Sequence, residues 1–310
     1  MPVPDFTELP RFDDRMSFLY LDRGKIERHE NTVACFSFEE CCPIPIADLA
    51  LLMLGPGTTI SHAAVSVLAE ANCLLAFVGE QGVRFYSYGK GGTHLSTNLL
   101  QQAHIWANVR TRRLVVRKMY QMRFQEELDP HLTIEQIRGR EGHRVRMAYQ
   151  RAAEAFNVKW NVRKFDPSNW KSGDPLNRAL SAGSACLNGL AHAAIVTAGY
   201  SPGLGFIHTG KALSFVYDVA DLFKVDLIVP IAFGVVSESD QEVEWRIRGT
   251  CRDTFGQAGL LKKLIPAIKE ALDVGDDSGE GSERTSGGVE SMDDRAEERD
   301  LPWSHDRSGP

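Results

Sequence analysis

One histidine and two aspartates stand close together in the 310-residue chain: His208 in a glycine-rich turn, then Asp218 and Asp221 on a stretch with helical periodicity. Asp218 and Asp221 are three positions apart, so on a helix both carboxylates project from one face about a turn from each other. Two carboxylates beside an imidazole offer the oxygen and nitrogen donors that Mg²⁺ or Mn²⁺ takes. A plainer reading also fits, the wet face of an amphipathic helix beside a structural histidine, and spacing does not separate the two. Phe215, Val216, Val219, Leu222 and Phe223 make an apolar stripe on the same stretch, and Ser214 is placed to cap it. Gly205 and Gly210 mark the turn that carries His208 and Lys211.

The elements that must hold these groups read as two kinds of structure. From Met16 onward, short apolar runs alternate with turn residues: Met16–Leu21, Ile26–His29, Val33–Phe38, Ile44–Ile46 and Leu49–Leu54. After the turn Gly55-Pro56-Gly57, Ser61 caps a short helix, and Leu74–Val78 and Val83–Tyr88 complete a small, sandwich-like β-domain over residues 1–88. No lysine follows the glycines of that turn, so it is not a phosphate-binding P-loop. A glycine hinge at 89–94 then gives way to helical periodicity, and residues 95–275 read as an all-α domain. Residues 95–124 suit one long helix or two, 132–156 a pair broken near Gly139, and Pro175–Ala198 a helix of small residues at the buried centre. After Pro230, residues 237–248 read as a polar stretch, and a last helix is expected over Thr250–Leu272. The fold class is therefore α+β, a β-domain followed by a helical domain. Residues 276–310, dominated by Gly, Ser and acids, read as a disordered acidic tail.

Charge is unevenly distributed. The tail holds eleven acidic and four basic residues, which leaves 1–275 with 31 basic and 30 acidic residues and a net charge of +1. Between His104 and Gln125 there is no acid, against Arg110, Arg112, Arg113, Arg117, Lys118 and Arg123. A one-sided basic stripe on helices is the electrostatic footprint of a polyanion such as nucleic acid. The six cysteines show no zinc spacing, and Cys35, Cys73 and Cys186 lie in apolar or small-residue surroundings, as buried free thiols do. No uninterrupted apolar run reaches the roughly 18 residues of a membrane helix. The first residues lack the basic-then-apolar order of a secretory signal, so a cytoplasmic protein is expected.

Several collinear motifs then carry a resemblance. They are Pro56-Gly57-Thr58 with Ser61-His62-Ala63-Ala64, Gly82-Val83-Arg84-Phe85-Tyr86, Val116-Arg117-Lys118-Met119-Tyr120, Arg138-Gly139-Arg140-Glu141-Gly142, Phe165-Asp166-Pro167, Gly205-Phe206-Ile207-His208-Thr209-Gly210, Ser214 to Asp221, and Cys251-Arg252-Asp253. Over about residues 10–272 the chain resembles the CRISPR-associated spacer-acquisition integrases, the first Cas protein family, in its type I-E branch. The resemblance implies a metal-dependent DNA endonuclease and integrase that joins 3′-hydroxyl ends of captured DNA to the CRISPR repeat by transesterification. It implies that Glu141, His208 and Asp221 share one Mg²⁺ or Mn²⁺, with Asp218 a further catalytic-site acid that orients a ligand or a metal-bound water.

It also implies DNA contacts at Arg84, Arg138, Arg163, Lys211 and Arg248. The implied partners are duplex DNA with single-stranded 3′ ends, the CRISPR repeat, a second copy in a homodimer, and a small ferredoxin-like second Cas protein bridging two dimers. The chain departs from the family pattern at Arg23, where an aromatic often braces the duplex end, and at Phe165 and Asn188, where tyrosine is expected. Two other readings remain open: a metal-dependent nuclease for branched repair intermediates, and a non-catalytic DNA-binding scaffold. The tail is open to three roles: docking on a neighbouring subunit, covering the basic channel as a DNA mimic, or acting as a solubilising extension.

Overall fold

The computed structural model describes residues 12–37, 41–79, 85–89, 96–160 and 174–274. Arg84, Arg163, Phe165, residues 90–94 of the expected hinge and the acidic tail at 276–310 lie outside the described residues.

Eight strands form two four-stranded sheets among the described residues. In the first, β1 (Met16–Leu21) and β5 (Leu49–Leu54) pair in parallel, β5 pairs in parallel with β7 (Leu74–Val78), and β8 (Phe85–Gly89) closes the edge antiparallel to β7. The second sheet runs β4 (Cys41–Ile44), β3 (Thr32–Phe36), β2 (Lys25–His29), β6 (Thr59–Ile60). Helix α1 (His62–Glu70) starts where expected, with the Ser61 side chain accepting from the Ala64 N–H. The turn at Gly55-Pro56-Gly57 is also as read: Arg23 N–H donates to the Pro56 carbonyl, and Gly57 has φ +78°.

Strand β5 departs from simple alternation, because all six of its residues are buried. Leu51 and Met53 belong to the core shared with the helices, whereas Leu52 and Leu54 belong to a second core with Ile26, Val33, Leu68 and Leu75. A strand with a dry environment on both faces needs no polar residue on either.

The rest is helical: α2 (Thr97–Ala107), α3 (Val109–Phe124), α4 (Ile134–Ala155), α5 (Pro175–Thr197), α6 (Ser214–Glu238), α7 (Val243–Gln257) and α8 (Leu260–Leu272). Helix α5 is long and apolar enough to cross a membrane, but 89% of its apolar window is buried inside the protein, so it is a core helix. Its small residues do what such residues allow: a Cβ on Gly183 would stand 3.1 Å from Ile228 and 3.2 Å from Ile247. Helices α6 and α7 therefore approach α5 closely. The first sheet packs on this layer, with Phe18 and Phe255 rings 6.4 Å apart.

Four boundaries differ from the sequence reading. Helix α4 runs unbroken through Gly139 and Gly142, since each glycine costs a helix only about 1 kcal/mol and a Thr133–Gln136 capping box anchors its start. Helix α6 continues through Pro230 to Glu238, held by Ile228, Val229, Ile231 and Ala232, all buried. The expected polar stretch and last helix are instead two helices, α7 and α8, divided at Gly259, whose φ is +59°. Ser214 is the first helical residue rather than the cap, and its hydroxyl accepts from the Lys211 N–H and donates to the Lys211 carbonyl.

Candidate metal centre and active site

The link between α5 and α6 delivers His208, and two helices shape it. Gln102 of α2, fully buried, accepts from the Ser201 N–H and donates to the carbonyls of Ser201 and Leu204. Trp106 donates from its indole to the Gly205 carbonyl at 2.9 Å. Gly205 is required here, because a Cβ would lie 2.2 Å from the His208 carbonyl oxygen and 2.6 Å from the Ser214 Cβ.

Asp218, with no exposed surface, closes the link from the other side. Its Oδ2 accepts the N–H groups of Phe206 (2.6 Å) and Ile207 (3.1 Å), and its Oδ1 accepts that of His208 (2.9 Å). The same Oδ1 lies 2.8 Å from His208 Nδ1. A carboxylate at Nδ1 keeps the proton on that nitrogen, so Nε2 is left with its lone pair on the far side of the ring. That side faces Asp221, whose Oδ2 is 4.0 Å from Nε2.

Glu141 reaches the same place from α4. Arg123, in the last turn of α3, joins the two acids: Nη1 is paired with Glu141 Oε1, and Nη2 is 3.3 Å from Asp221 Oδ2. The Arg123 side chain is only 6% exposed. Burial alone would lower its pKa, but Asp221 and then Glu141 outweigh that and hold it above the ordinary arginine value. Tyr120, one turn earlier, lies beneath the guanidinium with its ring centroid 5.4 Å away. Burial, and then Glu141, push the Tyr120 phenol above its usual range, while Arg123 and Arg138 oppose the shift.

Glu141, His208, Asp218 and Asp221 are thus brought together by α3, α4, α6 and one turn. Arg138, partly buried, joins the rim through Tyr120. Lys211 is exposed three residues beyond His208. Arg248 lies on α7 with its guanidinium 4.3 Å over the Tyr20 ring of β1, at the junction of sheet and helices. Among the described residues, no three His, Cys, Asp or Glu side chains stand at ligating range of one ion. The donor types nevertheless fit a hard divalent cation: two carboxylates from separate helices converge on one positive group, beside an imidazole nitrogen whose tautomer is set.

The basic run of α3 is not a uniform wet face. Arg123 is buried in the site, Arg117 donates to the carbonyls of Leu132 and Asp129, and Lys118 donates to that of Asp273. Sequence reasoning put Arg123 in a basic stripe facing a polyanion and Tyr120 in a family motif, and gave neither a part in this cluster, where Arg123 is instead paired with two acids. A signal was present: Arg123 falls at i+4 from Met119 and i+3 from Tyr120, both buried, so it lies on the apolar stripe of α3.

Comparison with known proteins shows the family. Over 257 residues the chain is 49% identical to the CRISPR-associated endonuclease Cas1 2 of Thermus thermophilus, spanning 83% of this chain and 79% of that one. The chain belongs to the Cas1 family. A family profile described as CRISPR associated protein Cas1 matches residues 105–244, which include Arg123, Glu141, His208, Asp218 and Asp221. Identity to the CRISPR-associated endonuclease Cas1 of Escherichia coli is 42% over 264 residues, 85% of this chain and 87% of that one. The fold superposes on the crystal structure of a TtCas1–DNA complex with a TM-score of 0.77 at 44% identity, covering 89% of this chain and 99% of that one. A casposase bound to its integration product shares the fold alone, with a TM-score of 0.59 at 16% identity.

Proposed function

We propose that this member of the Cas1 family is a metal-dependent DNA endonuclease and integrase of CRISPR adaptation, with Glu141, His208 and Asp221 holding one Mg²⁺ or Mn²⁺. The observation that carries the reading is that one guanidinium, Arg123, draws Glu141 of α4 and Asp221 of α6 to the same place, while Asp218 fixes the imidazole so that Nε2 faces Asp221. The bound ion would act as a Lewis acid at the phosphoryl oxygens and offset charge on the leaving 3′-oxygen. In transesterification the incoming 3′-hydroxyl oxygen bonds to phosphorus, the bond from phosphorus to the departing 3′-oxygen breaks, and one phosphodiester replaces another. No nucleotide cofactor is needed for that exchange, which accords with the glycine turn at 55–57 lacking a lysine.

The protein's own part is positional. Asp218 locks residues 206–208, so His208 does not have to be ordered when substrate arrives. Arg138 and Lys211, at the rim of the site, would hold phosphates of duplex DNA with single-stranded 3′ ends. Arg84, Arg163 and Arg248 extend that track as expected from the family pattern, and such contacts position DNA without reading its sequence. The DNA substrate is supported by the 44% identical relative crystallised with DNA. The CRISPR repeat as target, the homodimer, and the small second Cas protein that bridges dimers rest on the family resemblance.

The test is strand transfer of a short 3′-hydroxyl duplex into a repeat-bearing plasmid with Mg²⁺ or Mn²⁺, with and without the small partner. Glu141→Ala and His208→Ala are each expected to lower product by about a hundredfold or more. Full activity in either variant would end the assignment. The relatives are named endonucleases, and water in place of the 3′-hydroxyl would give hydrolysis at the same site. Metal-dependent cutting of branched DNA with no requirement for repeat or partner would select that second reading.

A further inference from the structure

Arg123 stands in an unusual position for a residue of a basic run. Its guanidinium spans two carboxylates from different helices, Glu141 of α4 and Asp221 of α6, with one terminal nitrogen on each. The Asp221 oxygen it approaches, Oδ2, is also the one nearest His208 Nε2. Arg123 therefore engages the donor atoms that a divalent cation would need. It is not a side chain that swings freely into solvent. Only 6% of its side chain is exposed, Tyr120 packs against it, and its buried Nε has no hydrogen-bond partner among the described residues.

Two acids neutralised by one fixed cation present less negative charge to a second cation than two acids alone. Without Arg123, Glu141 would lose its ion pair and Asp221 would keep Lys224, whose Nζ is 3.8 Å from its Oδ1, so the pair would present more net negative charge to a metal. We propose that Arg123 is a built-in counter-cation, which holds Glu141 and Asp221 in place before metal arrives and weakens the site's hold on that metal. The inference rests on the reading of Glu141, His208 and Asp221 as a metal centre. It makes Arg123 a positioning residue that sets metal affinity without contacting the reacting atoms.

The test is Mn²⁺ binding to the full chain in the absence of DNA, followed by calorimetry and by the metal-induced rise in Tm. Arg123→Gln keeps a polar side chain and removes the charge. It is expected to lower Tm in chelator by about 5–10 °C and to tighten the Mn²⁺ Kd by roughly tenfold or more. The Mn²⁺-induced rise in Tm should then exceed that of the unsubstituted protein. Arg123→Lys keeps a charge that reaches only one carboxylate and should tighten Kd by about threefold, which preserves the test if Arg123→Gln does not fold. A Kd that is unchanged or weaker in the folded variants would overturn the proposal and leave Arg123 as a structural ion pair. Failure of the metal-centre reading looks different: the unsubstituted protein would bind no Mn²⁺, or would bind it equally well after Glu141→Ala.

Discussion

Helices α5 and α6 pack against each other at the centre of the helical layer, and each carries a buried titratable side chain: His192 at 1% exposed, Asp218 at 0%. The two are used differently. His192 has the Tyr88 ring edge-on at 4.0 Å, and burial pushes its pKa down to about 4. Asp218 is met by three backbone N–H groups and the His208 ring. The same degree of burial thus gives a neutral packing residue in one helix and the organiser of a site in the other. At Asp218 several donors of one turn meet a single carboxylate, and that convergence makes it the organiser.

The contrast breaks most visibly at Asp218. Asp218→Ala leaves four donors of a partly buried turn without their acceptor, at a cost of roughly 3–5 kcal/mol. A fall in melting temperature of about 10 °C, together with loss of strand transfer, is expected, whereas Asp218→Asn should lose less stability because one oxygen remains. Equal stability for Asp218→Ala would mean the turn is held by α2 and Gly205 alone.

At His192 the effect is a pH dependence. In the unfolded chain the imidazole takes up a proton below about pH 6.5, but in the folded protein only below about 4. Between those values the unfolded state binds more protons, so this contribution is fully present above pH 6.5 and is lost as pH falls toward 4. Its size is at most about 3 kcal/mol. Denaturant melts at pH 7 and pH 5 should show the loss, and His192→Phe should flatten it. An unaltered slope in that variant would place the pH dependence elsewhere.

The smallest change tests the helix that carries Glu141. A Cβ on Gly139 would meet nothing within 4 Å, and the residue lies inside α4. Gly139→Ala should therefore stabilise the protein by about 0.5–1 kcal/mol, read as a rise of a few degrees in Tm. A fall would show that this part of α4 is not the regular helix described.

The contrast also explains what could be read from the sequence. Leu49–Leu54, the Ser61-capped helix and the small-residue helix α5 were legible because local composition decides them, through dry strands, a capping hydroxyl and close helix approach. The aspartate pair and His208 were legible as donors, since they lie on one short stretch. Glu141 was not, because 67 positions separate it from His208, and the family motif alone joined them. Arg123 was missed for another reason: its place on the apolar stripe of α3 marks it as inward-facing, but nothing local names the two distant acids that it meets. Gly139 and Pro230 misled for a third, since packing along α4 and α6 outweighs the local cost of a poor helix former.

The central claim concerns one ion and three side chains, and anomalous scattering from crystals grown with Mn²⁺ tests it directly. The account predicts a single peak at bonding distance from a Glu141 oxygen, an Asp221 oxygen and His208 Nε2, with His208 Nδ1 still on Asp218. A peak held by other residues, or an ordered site in which Glu141 stays on Arg123 and takes no part, would contradict it.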